Sequence, residues 1–429
     1  MQPHFISIQE AIDKGKGEVA IRGWVWRERG SNKFRFIIIR DGTNVIQCVI
    51  DDKHADWAEA QKASLESSVE VHGDIHEDKR APTGYEIHIT KFKLVHQAEP
   101  YPITKDQSPE FLLDMRHLWV RSRKIVAVTR IRHTVLSAFR KFYAEQGYVE
   151  LSPPILQPNQ CEGGSTLFEV KYYNDKTFLS QSWQLYAEAA IFGVEKAFTI
   201  SPCFRAERSK TSRHLSEFWM AEMEAAWFDY SALQKSAEEC IAFIVKEVVE
   251  KNTAELELLG QDVAKLKKIK APFPRMTYAD ALQLLKEKEN QDIEFGKDLR
   301  TIEEDLIMKH FDKPVIITNY PKAIMAFYKP EDPEMPGTAL CMDMLAPEGY
   351  GEIIGGSVRE TDIESLKKSL KAQGEKPENY AWYLDLRKYG SVPHAGYGMG
   401  VERVVAWLCK LDNIKDAILF PRTMLRWKP

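Results

Sequence analysis

Along the first hundred residues, apolar side chains come in short strand-length runs broken by Gly, Asn and Asp turns. GEVAIRGWVWRE, KFRFIIIRDG, VIQCVIDD, SVEVHGDIHED and GYEIHITKFKLVHQ read as five strands, with one helical insert, HADWAEAQKASLE. That pattern predicts a small five-stranded Greek-key barrel over residues 1–100. Residues 101–122 lose the periodicity, carry prolines and read as a linker or hinge. From 123 the period changes. RKIVAVTRIRHTVLSAFRKFYAEQGY sets apolar residues at 125, 128, 131, 135, 139 and 142, one face of a helix that stops at Gly147. Strand-like runs and helices then mix without regular βαβ alternation, so 123–429 reads as an α+β domain with an antiparallel sheet flanked by helices.

Composition narrows the class. At 429 residues the chain exceeds one compact core. Hydrophobic residues make up 44% and charged residues 28%, as in soluble globular proteins. No apolar run reaches about 18 residues, and MQPHFISIQE is unlike a secretory leader, so a cytoplasmic protein is expected. Cysteines 48, 161, 203, 240, 341 and 409 form no CxxC pair, which speaks for reduced thiols and against a zinc ribbon. Net charge is −4, so any contact with nucleic acid must come from local basic patches.

Three segments carry candidate chemistry. FRAERSKTSRHLSEF, 204–218, gathers cations ahead of Phe218. In the strand EFWMAEMEAAWF that follows, alternation puts Phe218, Met220, Glu222 and Glu224 on one face. That face suits either solvent or a site. TALCMDMLAPEGYGEIIGGSVRE, 338–360, sets Asp343 and Glu352 in apolar runs, thins the backbone at Gly351, Gly355 and Gly356, and ends near Arg359. Such carboxylates suit Mg²⁺, although a surface turn with an ion pair would look the same. HAGYGMGVERVVAWLCKL, 394–411, alternates Gly396, Gly398 and Gly400 before Arg403 at a helix start. It is not GxGxxG, and no GxxxxGK[ST] loop occurs in the chain. Together the segments offer arginines for phosphates, a ring for a base and acids for Mg²⁺: a nucleotide site without a Walker motif.

These segments resemble motifs 2 and 3 of the class II aminoacyl-tRNA synthetases and the acidic strand between them. The helix ending in GYVELSPPIL, with Pro153 and Pro154, resembles motif 1, a dimer element. A leading barrel of the oligonucleotide-binding kind (an OB-fold) is the layout of subgroup b, which handles aspartate, asparagine and lysine. Within it the chain is most similar to the archaeal-type asparaginyl-tRNA synthetases. RSKTS at 208–212 is only faintly similar to a class I lysine loop, and no HIGH-like tetrapeptide accompanies it.

The resemblance implies roles residue by residue. Arg205 bridges the ATP α-phosphate and the amino-acid carboxylate, and Glu207 reads the adenine amino group. Arg213, His214 and Leu215 lie in the phosphate loop, and Phe218 stacks on adenine. Gly400 and Arg403 belong to motif 3, with Arg403 on the γ-phosphate. Asp343 and Glu352 hold Mg²⁺. Glu162 and Gln184 hold the amino acid's backbone ends, and Arg359 meets its side-chain oxygen. In the aspartyl pattern a lysine follows Gln-Leu-Tyr, whereas Ala187 follows Gln184-Leu185-Tyr186 here. Without that cation an aspartate carboxylate is under-neutralised, at a cost of several kcal/mol. Glu222 is the expected acceptor for an amide NH₂. The expected partners are therefore asparagine, ATP, tRNA(Asn) and a second copy of the chain. A possibly non-discriminating aspartyl-tRNA synthetase is the alternative, and a synthetase-derived binding protein is a further one.

In the barrel, Phe34 and Phe36 share a strand face where rings can stack bases. Phe36, Gln47 and Glu86 match family positions on the anticodon. For Phe34, a place in the barrel core stands equally open.

Overall fold

The computed structural model describes residues 4–162, 166–207 and 213–429. The chain divides into two compact units, 1–112 and 113–429.

In the first unit, β1 (Gly17–Gly30), β2 (Phe34–Arg40), β3 (Val45–Asp51), β4 (Ser68–Glu77) and β5 (Tyr85–His96) close a barrel in the order β1-β2-β3-β5-β4. Alternate residues, among them Ile37, Ile39, Ile46, Cys48, Ile50 and Ile87, point inward and form its core. One element escaped the periodicity. Helix α1 (Ile8–Lys14) starts at a Ser7/Glu10 capping box and buries Ile8 and Ala11 against that core. The expected insert shrinks to one turn, Trp57–Ala60. Asp56 and Glu59 beside it accept the β5 amides of Phe92 (2.8 Å) and Leu94 (2.7 Å), satisfying an edge that would otherwise lack partners.

The second unit begins at 113 rather than 123, so much of the expected hinge belongs to it. Arg116 supplies the reason. It is 1% exposed. Its guanidinium donates to Leu419 O (2.7 Å), Asp416 Oδ1 (2.9 Å), Lys415 O (3.2 Å) and Ile418 O (3.0 Å). A buried cation with four acceptors holds residues about three hundred positions apart, a link that no local pattern reveals.

An eight-stranded sheet forms the scaffold. Its strands include β6 (Val149–Glu150), β10 (Lys196–Phe204), β11 (Glu217–Ala226), β12 (Arg275–Thr277), β13 (Val315–Thr318), β14 (Cys341–Ala346), β15 (Gly351–Val358) and β16 (His394–Gly400). The order is β12-β13-β14-β15-β16-β11-β10-β6. The central pairings are antiparallel, and only the two outer ones are parallel. A separate small sheet holds β7 (Leu156–Gln157), β9 (Asp175–Leu179) and β8 (Glu169–Tyr172). Helices α2 (Arg123–Ala144) and α3 (Tyr230–Lys251) pack their apolar faces into one core with Ala221, Met223 and Ala225 of β11. The opposite face of β11 is thereby left for polar work.

Replacing Arg116 by Met should strip three carbonyls and Asp416 Oδ1 of this donor at once, leaving Asp416 only its Lys124 contact among the described residues. Urea unfolding should report a loss of about 3 kcal/mol, in the range for breaking a buried ion pair. An unchanged midpoint would show that the contact carries no stability.

Candidate active site

Strand register builds the floor of the site. Directly opposed residues in an antiparallel pair share a face. Asp343 lies opposite Gly355, Gly355 opposite Gly398, Gly398 opposite Glu222, and Glu222 opposite Thr199. The adjacent row runs Cys341, Ser357, Gly396, Glu224, Ala197. Carboxylates thus flank a trough whose middle is bare backbone. Bulk cannot replace these glycines. A Cβ on Gly396 would stand 2.1 Å from Glu224 Oε2. The solvent reading for Glu222 and Glu224 is therefore corrected, since they are 4% and 1% exposed.

Every residue the resemblance assigned to ATP lines one pocket over this trough: Arg205, Glu207, Arg213, His214, Leu215, Phe218, Glu352, Gly400 and Arg403. Met220, Ile353, Glu402 and Ile414 complete the lining. The Arg205 guanidinium sits 5.3 Å from the Phe218 ring centroid. Burial works against the Arg205 charge, but Glu162, Glu207 and Glu352 outweigh it and hold the pKa above its ordinary value. Its buried Nε has no hydrogen-bond partner among the described residues. Arg403 Nη1 donates to Glu352 O (2.7 Å) and Oε2 (3.1 Å). Arg213 is tied to Asp305 (2.7 and 2.9 Å) and to the Gly349 carbonyl. His214 Nε2 lies 3.7 Å from Glu207 Oε2, and burial, then Arg403, lowers its pKa. RSKTS at 208–212 lies outside the described residues, as do Gly163, Gly164 and Ser165.

The acids converge. Glu352 reaches the site face through a β-bulge: Met344 faces Ile354, but Leu345 faces Glu352, so Ile353 is the extra residue. A Cβ on Gly355 would stand 2.9 Å from Glu352 Oε1 and 3.4 Å from Asp343 Oδ1, so both carboxylates lean over that glycine. Burial and then Glu352 push the Asp343 carboxyl well above the usual range. A third acid, Glu304 of helix Thr301–Met308, was not foreseen, because TIEEDL reads as a solvated helix face. Burial and then Glu352 raise it to about 7. The turn at Gly351, with φ +68°, passes it where a Cβ would come within 2.5 Å of Glu304 Oε2.

Beside the trough lies a second cluster. Glu162 accepts from Tyr328 Oη (2.6 Å), and Arg359 sits 5.3 Å over the Tyr328 ring. Arg359 forks onto Glu224, Nε to Oε1 at 3.0 Å and Nη2 to Oε2 at 2.7 Å, and Nη1 donates to Ser357 Oγ at 2.9 Å. Glu222 accepts from Ser182 Oγ (2.5 Å) and Trp183 N (3.3 Å). Gln184 Nε2 donates to Glu188 Oε1 at 3.0 Å. Glu188 itself was missed. Its Oε2 meets Arg387 Nη2 (2.5 Å), Tyr383 Oη (2.6 Å) and His394 Nε2 (3.1 Å). Cys203 is fully buried, and burial pushes its thiol well up, which leaves it structural.

On the barrel, Gln47 Nε2 donates to Glu86 Oε2 (2.9 Å), and Arg29 Nη2 donates to Gln47 Oε1 (3.2 Å). Arg29 also lies 5.2 Å over the Phe36 ring, joining Phe36, Gln47 and Glu86 in one patch. Phe34 is 49% exposed, which corrects the core reading, because Ile37 and Ile39 take the inward positions.

Comparison with known proteins places these arrangements. Residues 108–424 match the tRNA synthetases class II (D, K and N), and residues 19–95 match the OB-fold nucleic acid binding domain. The asparagine–tRNA ligase of Thermococcus kodakarensis is 47% identical over 415 residues, 96% of each chain. That of Thermoplasma acidophilum is 44% identical over 429 residues, 99% of this chain and 100% of its own. Among solved structures, the Pyrococcus horikoshii asparaginyl-tRNA synthetase complexed with asparaginyl-adenylate superposes with a TM-score of 0.96 at 43% identity. It covers 99% of this chain and 100% of its own.

Burial raises the Glu222 carboxyl from the ordinary 4.5 to about 7. Between those values the folded state binds more protons than the unfolded one, so this group's stability contribution falls as pH rises. Glu222→Gln should remove that slope, worth about 3 kcal/mol across the window. Urea unfolding of both proteins at acid and neutral pH reads the difference, and parallel pH profiles would refute it.

Proposed function

The chain belongs to the class II tRNA synthetases of the D, K and N group, and on that premise we propose the site chemistry of an asparagine–tRNA ligase. The enzyme activates asparagine with ATP and transfers it to tRNA. One observation carries the choice of amino acid: Arg359 is already forked onto Glu224, while buried Glu222 lies on the neighbouring row of the same face. An amide needs both a donor for its oxygen and an acceptor for its NH₂. Arg359 and Glu222 supply them. The position that carries a lysine in the aspartyl pattern is Ala187, fully buried.

The asparagine carboxylate attacks the α-phosphorus in line, and pyrophosphate leaves. Arg205 spans carboxylate and α-phosphate, Arg403 and Arg213 face the outer phosphates, and Phe218 stacks on the base. No side chain acts as a nucleophile, so catalysis is positioning plus fixed charge. Asp343 and Glu352 offer only oxygen donors drawn together over Gly355, a set that fits a hard cation. They would hold Mg²⁺, which when bound supplies positive charge to the phosphate oxygens. Glu162 receives the α-amino group, and Gln184 steadies the pocket wall.

A hydroxyl at the tRNA 3′ end then attacks the adenylate carbonyl, the bond to phosphate breaks and AMP leaves, while the barrel patch around Phe36, Gln47 and Glu86 meets the anticodon. A homodimer in the cytoplasm completes the reading. The motif 1 segment supports it, since Val149, Ile155 and Leu156 expose 43%, 41% and 42% of their surface beside the edge strand β6.

ATP–pyrophosphate exchange tests the choice of substrate. Asparagine should support exchange at least about 100-fold better than aspartate, as expected where a site pairs a specific polar group. Equal rates would overturn it. For the barrel, Phe36→Ala should raise the KM for tRNA about tenfold, the loss of one stacking contact. Amino-acid activation should stay intact, and a parallel fall in exchange would make Phe36 structural.

A further inference from the structure

Glu188, Glu224 and His394 bring their ligand atoms within 4.8 Å of one another, a spacing that suits a metal. Two guanidinium groups already occupy that space. Arg359 takes both Glu224 oxygens, and Arg387 Nη2 takes Glu188 Oε2 at 2.5 Å. Glu188 Oε1 also lies 3.9 Å from Arg359 Nε, so the two ion pairs form one body. Side-chain exposure is 0% for Glu188, 1% for Glu224, 5% for Arg359 and 1% for Arg387. Two carboxylates and two guanidinium groups thus pair with one another out of contact with water.

The consequence concerns discrimination, and it rests on the asparagine reading above. An amide and a carboxylate have nearly the same shape, so packing alone separates them poorly. A lone buried arginine would favour the carboxylate through a charge-assisted pair. Arg359 is not alone. Of its five N–H groups, three are spent on Glu224 and Ser357, leaving others as hydrogen-bond donors. We propose that Glu188 is a specificity-determining positioning residue. With Arg387 it completes a neutral buried set behind Arg359, so the pocket gives a substrate amide a donor but gives a substrate carboxylate no net positive charge. Away from water, one uncancelled charge in this set acts on the side chain more strongly than it would in solvent.

The position of Glu188 supports this assignment. It stands one turn after Gln184 on helix Gln184–Val194, with Arg387 reaching it from helix Ala381–Lys388. Burial alone would push the Glu188 carboxyl up, but Arg387, His394 and Arg359 hold it well below the usual range. The His394 ring bridges Val392 O (2.7 Å) and Glu188 Oε2 (3.1 Å), fixing the carboxylate from a third side.

Charge removal within the set gives the test, using ATP–pyrophosphate exchange by the full chain with asparagine and with aspartate. Glu188→Gln keeps the shape and leaves the set positive. The aspartate-to-asparagine ratio of kcat/KM should rise about tenfold or more. The double variant Glu188→Gln/Arg387→Met is neutral again, and its ratio should return to within about threefold of wild type, a rescue that a purely structural role would not produce. An unchanged ratio in Glu188→Gln overturns the proposal, and so does a double variant as permissive as the single one. Should Glu188→Gln fail to fold, Arg387→Met is compared with the double variant. The negative single variant should then lower the ratio below that of the neutral double, and equality refutes the idea. If the wild type does not activate asparagine at all, the reading beneath fails instead, and the two failures remain distinct.

Discussion

The glycines of β15 and β16 are the constraint on which the catalytic unit depends. Gly355, Gly396 and Gly398 fall in register with Asp343, Glu222 and Glu224 across antiparallel strands, so the sheet has side chains at the sides and none in the middle. A sheet is ordinarily a wall. Here it is a wall with a groove as deep as the missing side chains, and the acids bend into it: Glu224 Oε2 occupies the place of the Cβ that Gly396 lacks. A bulge adds what register alone could not, turning Glu352 onto the same face as Asp343. Backbone geometry therefore settles where charge can converge before any ligand arrives.

Converging charge is expensive, and the unit meets that cost in two ways. Around Arg359, opposite charges close on one another, with Glu224 forked by Arg359 and Glu188 held by Arg387. Around Arg205 and Asp343 they do not close fully. Asp343, Glu352 and Glu304 crowd together, and burial with mutual repulsion raises Asp343 and Glu304. Arg205 keeps a buried Nε without a partner among the described residues. One end is self-sufficient and rigid, while the other is left with deficits of both signs that a polyanion and a cation would fill together.

How much of this was legible follows from which interactions are local. Strand alternation in EFWMAEMEAAWF correctly put Phe218, Met220, Glu222 and Glu224 on one face, because period two is a property of the backbone itself. It could not say whether that face met water, since the answer depends on strands more than a hundred residues away. The alternating glycines were visible, but their meaning lay in a register that no single strand contains. Glu188 is the single charge of helix Gln184–Val194 and Arg387 one of several on helix Ala381–Lys388, but only the fold brings the two together. Arg116 hid inside what read as a hinge for the same reason, its acceptors lying near the far end of the chain. Resemblance to known motifs picked out the residues that line the pocket over the trough. It was silent on the residues that support them from behind.

That silence has a physical cause, and it bears on selectivity. A residue that touches substrate is restricted in kind by the chemistry it performs, so its identity and spacing form a motif. A residue that balances charge is restricted only in sign and burial, and several positions could supply it. Asparagine and aspartate differ by a charge and hardly at all in shape, so the groups that separate them need not contact either. A charge behind a buried guanidinium still acts on the group in front of it, because little water intervenes to screen it. On the proposed reading, the trough fixes where the side chain lies, Glu222 and Arg359 hold its two ends, and the net charge behind Arg359 decides whether an anion is tolerated there. Discrimination in this fold is then a property of the sum over a buried set, and is legible only once the set is assembled.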